Sequence, residues 1–208
     1  MIDHPARGRF NAWLFDVLDG YMHRKYGTVK SQLFHPAPET IVEFGPGAGA
    51  NFRYYARGTR VVAIEPNVRM HERLRKTATR YGLQLDLRTI AGETLDVPSQ
   101  SVDLVSATLV LCSVDNPEAV IAEARRVLRP GGRFVCIEHV AAPPGSLLAR
   151  VQRLIARPWY WLFEGCHLQR DTEGLLRRAG FRHVDVQPLI VRTAFFPIRY
   201  QLAATCIA

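Results

Sequence analysis

Two acidic residues, Glu43 and Glu65, each follow or close a run of apolar residues, and a turn with three glycines lies between them. The run Ile41-Val42-Glu43-Phe44 reads as a buried strand that stops at Gly45. Gly45, Gly47 and Gly49 then let the chain turn sharply and approach a ligand where a side chain would collide. A helix starting near Asn51 would face its free N–H groups toward the same turn. A second run, Arg60 to Ile64, ends in Glu65. That is about 20 residues on, where nucleotide-binding folds place the acid that takes ribose hydroxyls.

The elements that would position these groups alternate. Strands are expected at 40–45, 60–65, 84–90, 101–107 and 133–139, and helices at 50–56, 67–81, 117–128 and 171–179. Phe181 to Gln187 and Ile198 to Ala204 are two further strand candidates. This alternation predicts an α/β fold, a parallel sheet with helices on both faces. Asn116-Pro117-Glu118 reads as a helix start, and Pro130-Gly131-Gly132 as a sharp stop. Before the first strand, Phe10, Trp13, Leu14, Val17, Leu18 and Tyr21 recur at helical spacing, so an amphipathic helix is expected within residues 1–35. Residues 141–170 interrupt the alternation: Leu147 to Ile155 reads as helix and 157–167 as an aromatic, irregular stretch. An insert there lies at the carboxyl ends of the strands, where open sheets bind ligands.

The 208 residues are expected to form one domain. No apolar run reaches the ~18 residues needed to cross a bilayer, and Met1 to Pro5 does not start a secretory signal. The chain is therefore expected to be cytoplasmic, with peripheral membrane contact at most. Cys112, Cys136, Cys166 and Cys206 are scattered, with no Cys-x-x-Cys pair, which points to reduced thiols and to no bound metal. The net charge of +8 is spread along the chain without a compact basic run or a nucleic-acid motif, so nucleic acid is not expected as a partner.

The glycine spacing of Glu43-Phe44-Gly45-Pro46-Gly47-Ala48-Gly49 resembles the first motif of class I S-adenosylmethionine (SAM) methyltransferases. Ala91-Gly92-Glu93, Ser101 to Leu109 and Arg126 to Phe134 resemble that family's later motifs, in order. The resemblance implies a Rossmann-like three-layer sandwich around a seven-stranded, mostly parallel sheet with an antiparallel last strand, plus an N-terminal helical lid. It implies SAM as cofactor and S-adenosylhomocysteine as product. Glu43, Gly45, Pro46, Gly47, Gly49, Asn51, Thr108 and Leu109 would surround the methionine end, Glu65 the ribose, and Pro66, Gly92 and Glu93 the adenine.

Narrower pieces, Thr108-Leu-Val-Leu-Cys-Ser-Val114, Glu138-His-Val-Ala-Ala142 and Leu162-Phe-Glu-Gly-Cys-His-Leu-Gln-Arg170, resemble the thiol S-methyltransferases. That resemblance implies a small-molecule thiol acceptor; a lipid headgroup amine, a quinone or another small metabolite is the alternative, and a non-catalytic SAM-binding protein ranks last. A free thiol has a pKa of ~8.5, so thiolate is present near neutrality without a strong base. His139, at a strand end, is the first candidate base; His167 and Arg170 in the insert are the second.

Overall fold

The computed structural model describes residues 5–191 and 196–208, with side chains of the first helix described at Val17 and from Gly20 onward. That first helix, α1, spans Pro5–Phe34. Phe10, Trp13, Leu14 and Leu18, the rest of its expected apolar stripe, lie outside the described side chains. Further along, Tyr26, Lys30 and Phe34 stand four residues apart, on one helix face, and all three are buried. Val17 is 61% exposed. The Arg133 guanidinium ties the end of α1 to the sheet by donating to the carbonyls of Leu33, His35 and Pro36 at 3.4, 3.1 and 2.8 Å.

Seven strands follow: β1 (Thr40–Phe44), β2 (Arg60–Ile64), β3 (Gln84–Arg88), β4 (Val102–Thr108), β5 (Leu128–His139), β6 (His183–Ile190) and β7 (Tyr200–Ile207). They form one sheet in the order β3-β2-β1-β4-β5-β7-β6. The pairs among β1 to β5 are parallel; β7 lies antiparallel between β5 and β6. This is the seven-stranded arrangement expected, with the last strand inserted antiparallel.

Side chains alternate across each strand, so each buried strand feeds two cores. Val42, Phe44, Val62, Ile64 and Val105 pack with Val120, Ile121 and Ala124 of α3 (Pro117–Val127) and Leu176 of α5 (Thr172–Arg178). Ile41, Val61, Ala63 and Leu104 pack on the other face with Phe34, Phe52, Tyr55 and Leu74 and Ala78 of α2 (His71–Tyr81). Glu43 shares its parity with Ile41, so its carboxylate enters the second core.

Four local expectations are revised. The helix expected at 50–56 is only a 3-10 turn, Phe52–Tyr54. The Asn51 side chain donates to Glu43 and Thr108 instead of capping a helix. In 67–81, Asn67 caps a 3-10 turn, Val68–Met70, before α2 begins. Pro130-Gly131-Gly132 does not separate helix from strand. It lies inside β5 at an irregularity of the pairing, where register passes from Val102 opposite Leu128 to Leu104 opposite Arg133. The insert is also more regular than its aromatic sequence suggests. Ser146 caps α4, which runs unbroken over Leu147–Leu162 and through Pro158. Leu154, whose carbonyl loses its partner to that proline, is 83% exposed. Among the described residues no helix is long and apolar enough to cross a membrane.

Candidate active site

The glycine turn and its carboxylates lie at the carboxyl ends of β1 and β2. Gly45, Gly47 and Gly49 all have left-handed φ, at 53°, 57° and 87°. Their surroundings differ. A Cβ on Gly45 would sit 2.7 Å from Val110, and one on Gly49 would sit 2.9 Å from Phe52 and Thr77. A Cβ on Gly47 would have no neighbour within 4 Å. Two of the three glycines thus serve close packing of the protein on itself, and Gly47 borders open space. Gly92 belongs with the packing glycines, its Cβ position being 3.0 Å from the Phe44 ring.

Glu65 spans the turn from below. One carboxylate oxygen accepts from the Gly47 N–H and the other from the Asn67 N–H, both at 2.9 Å. Burial pushes its carboxyl up, against those two donors. Glu43 is 1% exposed and accepts from Asn51 Nδ2 and from the Tyr55 hydroxyl, each at 2.7 Å. Burial raises it to about 7, although both donors and the Lys30 ammonium favour the ionised form. Asn51 also donates to Thr108 Oγ1 at 3.1 Å, and Tyr55 meets Ser106 at 3.3 Å. Asn51 Oδ1 is buried without a partner. Pro46 is buried and Pro66 exposed, while Glu93 accepts from the Asn116 N–H at 3.5 Å. The sequence reading missed Tyr55, Ser106 and Lys30. No short motif links them to Glu43; only strand parity and the return of the 3-10 turn do.

The second half of the site is built around the loop after β4. Leu109 has φ 57°, and its N–H donates to the Ile137 carbonyl. Glu138, fully buried, then accepts the N–H groups of Val110, Leu111 and Cys112 at 2.8, 2.9 and 3.3 Å. Arg170 donates to the carbonyls of Leu111 and Val114 at 2.6 and 2.8 Å, so its guanidinium is committed to the loop. The His167 N–H donates to the Cys112 carbonyl. Its exposed ring meets Tyr160 edge-on, and partial burial together with Arg170 lowers its pKa.

His139 is 2% exposed, with Nε2 3.0 Å from Cys166 Sγ and Nδ1 without a partner. Cys166 Sγ lies 4.0 Å from Cys112 Sγ and receives the Trp159 indole N–H at 3.2 Å. The contact with Cys112 and the Trp159 donor pull the Cys166 thiol down, while the same contact and burial push Cys112 up. Cysteines scattered in sequence are thus neighbours in space, around the histidine expected to act as base.

The family described as "Methyltransferase domain" matches residues 42–136. With the strand order above, this defines a class I SAM-dependent methyltransferase, and SAM is its methyl donor. Thiol S-methyltransferase TMT1B of Rattus norvegicus is 34% identical over 88% of this chain and 80% of that protein. The chain belongs to this thiol S-methyltransferase family. Phosphatidylethanolamine N-methyltransferase of Cereibacter sphaeroides is 33% identical over 77% of this chain and 79% of that protein. A SAM-dependent methyltransferase from Aquifex aeolicus shares the fold at TM-score 0.65 and 15% identity, over 94% of this chain and 97% of that one.

Proposed function

We propose that the enzyme methylates a small-molecule thiol. The observation that carries this reading is the 34% identity to a thiol S-methyltransferase across most of both chains. The geometry of the second half of the site supports it. Among the expected acid–base groups, His139 is enclosed by two thiols and Arg170 is spent on carbonyls, so the site is better suited to a nucleophile that ionises readily.

In this reading the open space beside Gly47 takes the methionine end of SAM. Asn51 Oδ1, a buried acceptor lacking a donor, suits its ammonium group, and Glu43 supplies nearby negative charge. Glu65 takes the ribose hydroxyls; Pro66, Gly92 and Glu93 border the adenine, with Gly45, Pro46, Gly49, Thr108 and Leu109 shaping the wall. Bound SAM supplies a methyl group already activated on a sulfonium. The residues of this chain hold and orient the partners and exclude water. We assign residues 1–208 to one domain, with 1–35 as a lid and 141–170 as the acceptor-side cover. Four buried cysteines, none in a disulfide, fit a reducing cytosol.

A second reading rests on the lipid-acting relative and on the outer face of α4, where Leu147, Leu154 and Trp161 are exposed beside Arg150, Arg153 and Arg157. Such a face suits peripheral contact with an anionic surface and a lipid headgroup amine as acceptor. A product assay on purified enzyme separates the two: a methyl thioether from alkyl thiols is the expected product. Methylation of phosphatidylethanolamine or a quinol, with every thiol inert, would overturn the thiol reading and leave the SAM site untouched.

A further inference from the structure

Cys112, His139 and Cys166 come from three separate elements and are all buried. The contacts that join them are 27 and 54 residues apart in sequence. The two Sγ atoms and a ring nitrogen of His139 all lie within 4.8 Å of one another. A zinc-sized ion holds thiolate sulfur at about 2.3 Å and imidazole nitrogen at about 2.0 Å in a tetrahedron. Simple trigonometry on those lengths puts ligand sulfurs roughly 3.8 Å apart and sulfur and nitrogen roughly 3.5 Å apart. The observed 4.0 Å between sulfurs lies near its edge, and the 3.0 Å between Cys166 and His139 is shorter than its edge, a direct hydrogen bond that a bound ion would open.

The positions are also built. Glu138 fixes the Cys112 N–H, and the His167 N–H fixes the Cys112 carbonyl. Cys166 follows two residues in left-handed conformation, Glu164 at φ 49° and Gly165 at φ 95°. Glutamate pays a steric cost for that φ, so the turn that presents Cys166 is held in place by its surroundings. The Trp159 N–H reaches the Cys166 sulfur, the kind of outer contact that steadies a metal-bound thiolate.

We propose that Cys112, His139 and Cys166 form a three-ligand site for a soft divalent cation of the zinc class, whose fourth position takes the sulfur of the acceptor thiol. Among the described residues no fourth histidine, cysteine or carboxylate joins the group, and the adjacent Glu138 is engaged with three backbone N–H groups. Three protein ligands with one open position is the pattern of catalytic rather than structural zinc. Coordination deprotonates a thiol outright, with the proton leaving to solvent and no change of oxidation state. The acceptor role rests on the thiol reading above; the metal site does not.

Cobalt(II) loading of the full chain tests it. After gel filtration we expect one cobalt per chain, tetrahedral ligand-field bands, and a near-ultraviolet thiolate-to-cobalt band. Cys112→Ser and Cys166→Ser should each weaken that band, and the double variant should abolish it, while SAM affinity by calorimetry stays within twofold. Adding 2-mercaptoethanol should strengthen the band. No retained cobalt, or retention undiminished in the double variant, would overturn the site. A band that ignores the added thiol would overturn the open fourth position. Thiol turnover that survives complete metal removal rejects the role in acceptor binding and leaves the thiol reading standing. A metal-loaded enzyme that methylates only non-thiols rejects the thiol reading instead.

Discussion

The two halves of the site hold their polar groups in opposite ways. On the SAM side, carboxylates receive donors from a stretch adjacent in sequence: Gly47, Asn51, Tyr55 and Asn67 all lie within 18 residues of the glutamate they serve. On the acceptor side, Glu138, Arg170 and the cysteines reach across 26 to 59 residues. The first half takes its carboxylate donors from one nearby stretch and is tied to β4 through Thr108 and Ser106. The second is closed only when the β4 loop, the end of β5 and the segment after α4 have met. A local unit suits a ligand that never changes, and a composite one lets acceptor preference change without disturbing the donor site.

The sharpest way to break this contrast is at Gly47. Gly47→Val should weaken SAM by roughly 10³-fold, about 4 kcal/mol, since the added side chain would enter the space assigned to ligand. Calorimetry showing unchanged affinity would remove SAM from that space.

Glu43 offers a pH handle on the same half. Its carboxyl rises from 4.5 to about 7 on folding, so the folded state holds more protons between those values. This group's contribution therefore falls as pH rises from about 4.5 to about 7 and is level above that. The full span is about 3 kcal/mol. Urea unfolding of Glu43→Gln should accordingly gain about that much relative to the native chain between pH 4 and pH 8. Parallel stability curves would mean that Glu43 ionises as if solvated.

Arg170→Ala leaves two loop carbonyls without their donor and should lower kcat by roughly 10²-fold, about 2–3 kcal/mol, with SAM affinity unchanged. Loss of both together would show that the halves are coupled. Glu65→Ala should cost SAM binding about 2–3 kcal/mol. Part of that is the loosened Gly47 turn, so Glu65→Gln, which retains an acceptor, should cost less. A cost of a few tenths for Glu65→Ala would leave the carboxylate with a packing role alone. His167→Ala should have the smallest effect, under tenfold in kcat; a loss of about 10²–10⁴-fold would make the exposed imidazole a general base after all.

The same contrast explains what could be read in advance. The positions of the strands and the glycine turn follow from local rules, apolar runs and glycine where φ is positive, while the antiparallel last strand was implied by the family resemblance. Asn51 was legible as a site residue but not as the reason the expected helix fails, because its partners Glu43 and Thr108 lie on two strands. Pro130-Gly131-Gly132 carries the local signature of a stop, yet the pairing of Leu128 and Arg133 on either side keeps it within β5. The helical continuation of α4 through Pro158 was hidden for a related reason, since proline's cost depends on exposure that sequence does not state. Cys112 and Cys166 read only as two of four scattered reduced thiols because their proximity is wholly tertiary.

The placement of β7 bears on how the molecule is made. β6 emerges before β7, yet its pairing in the sheet is with β7, which also occupies the edge of β5. A nascent chain must therefore carry β6 without its pairing partner, and leave β5 open at its rim, until residues 200–207 have been synthesised. During that interval Phe134 to Ile137 present an apolar strand edge that can pair with another chain. Shielding of that edge during synthesis is then a demand separate from the stability of the finished fold.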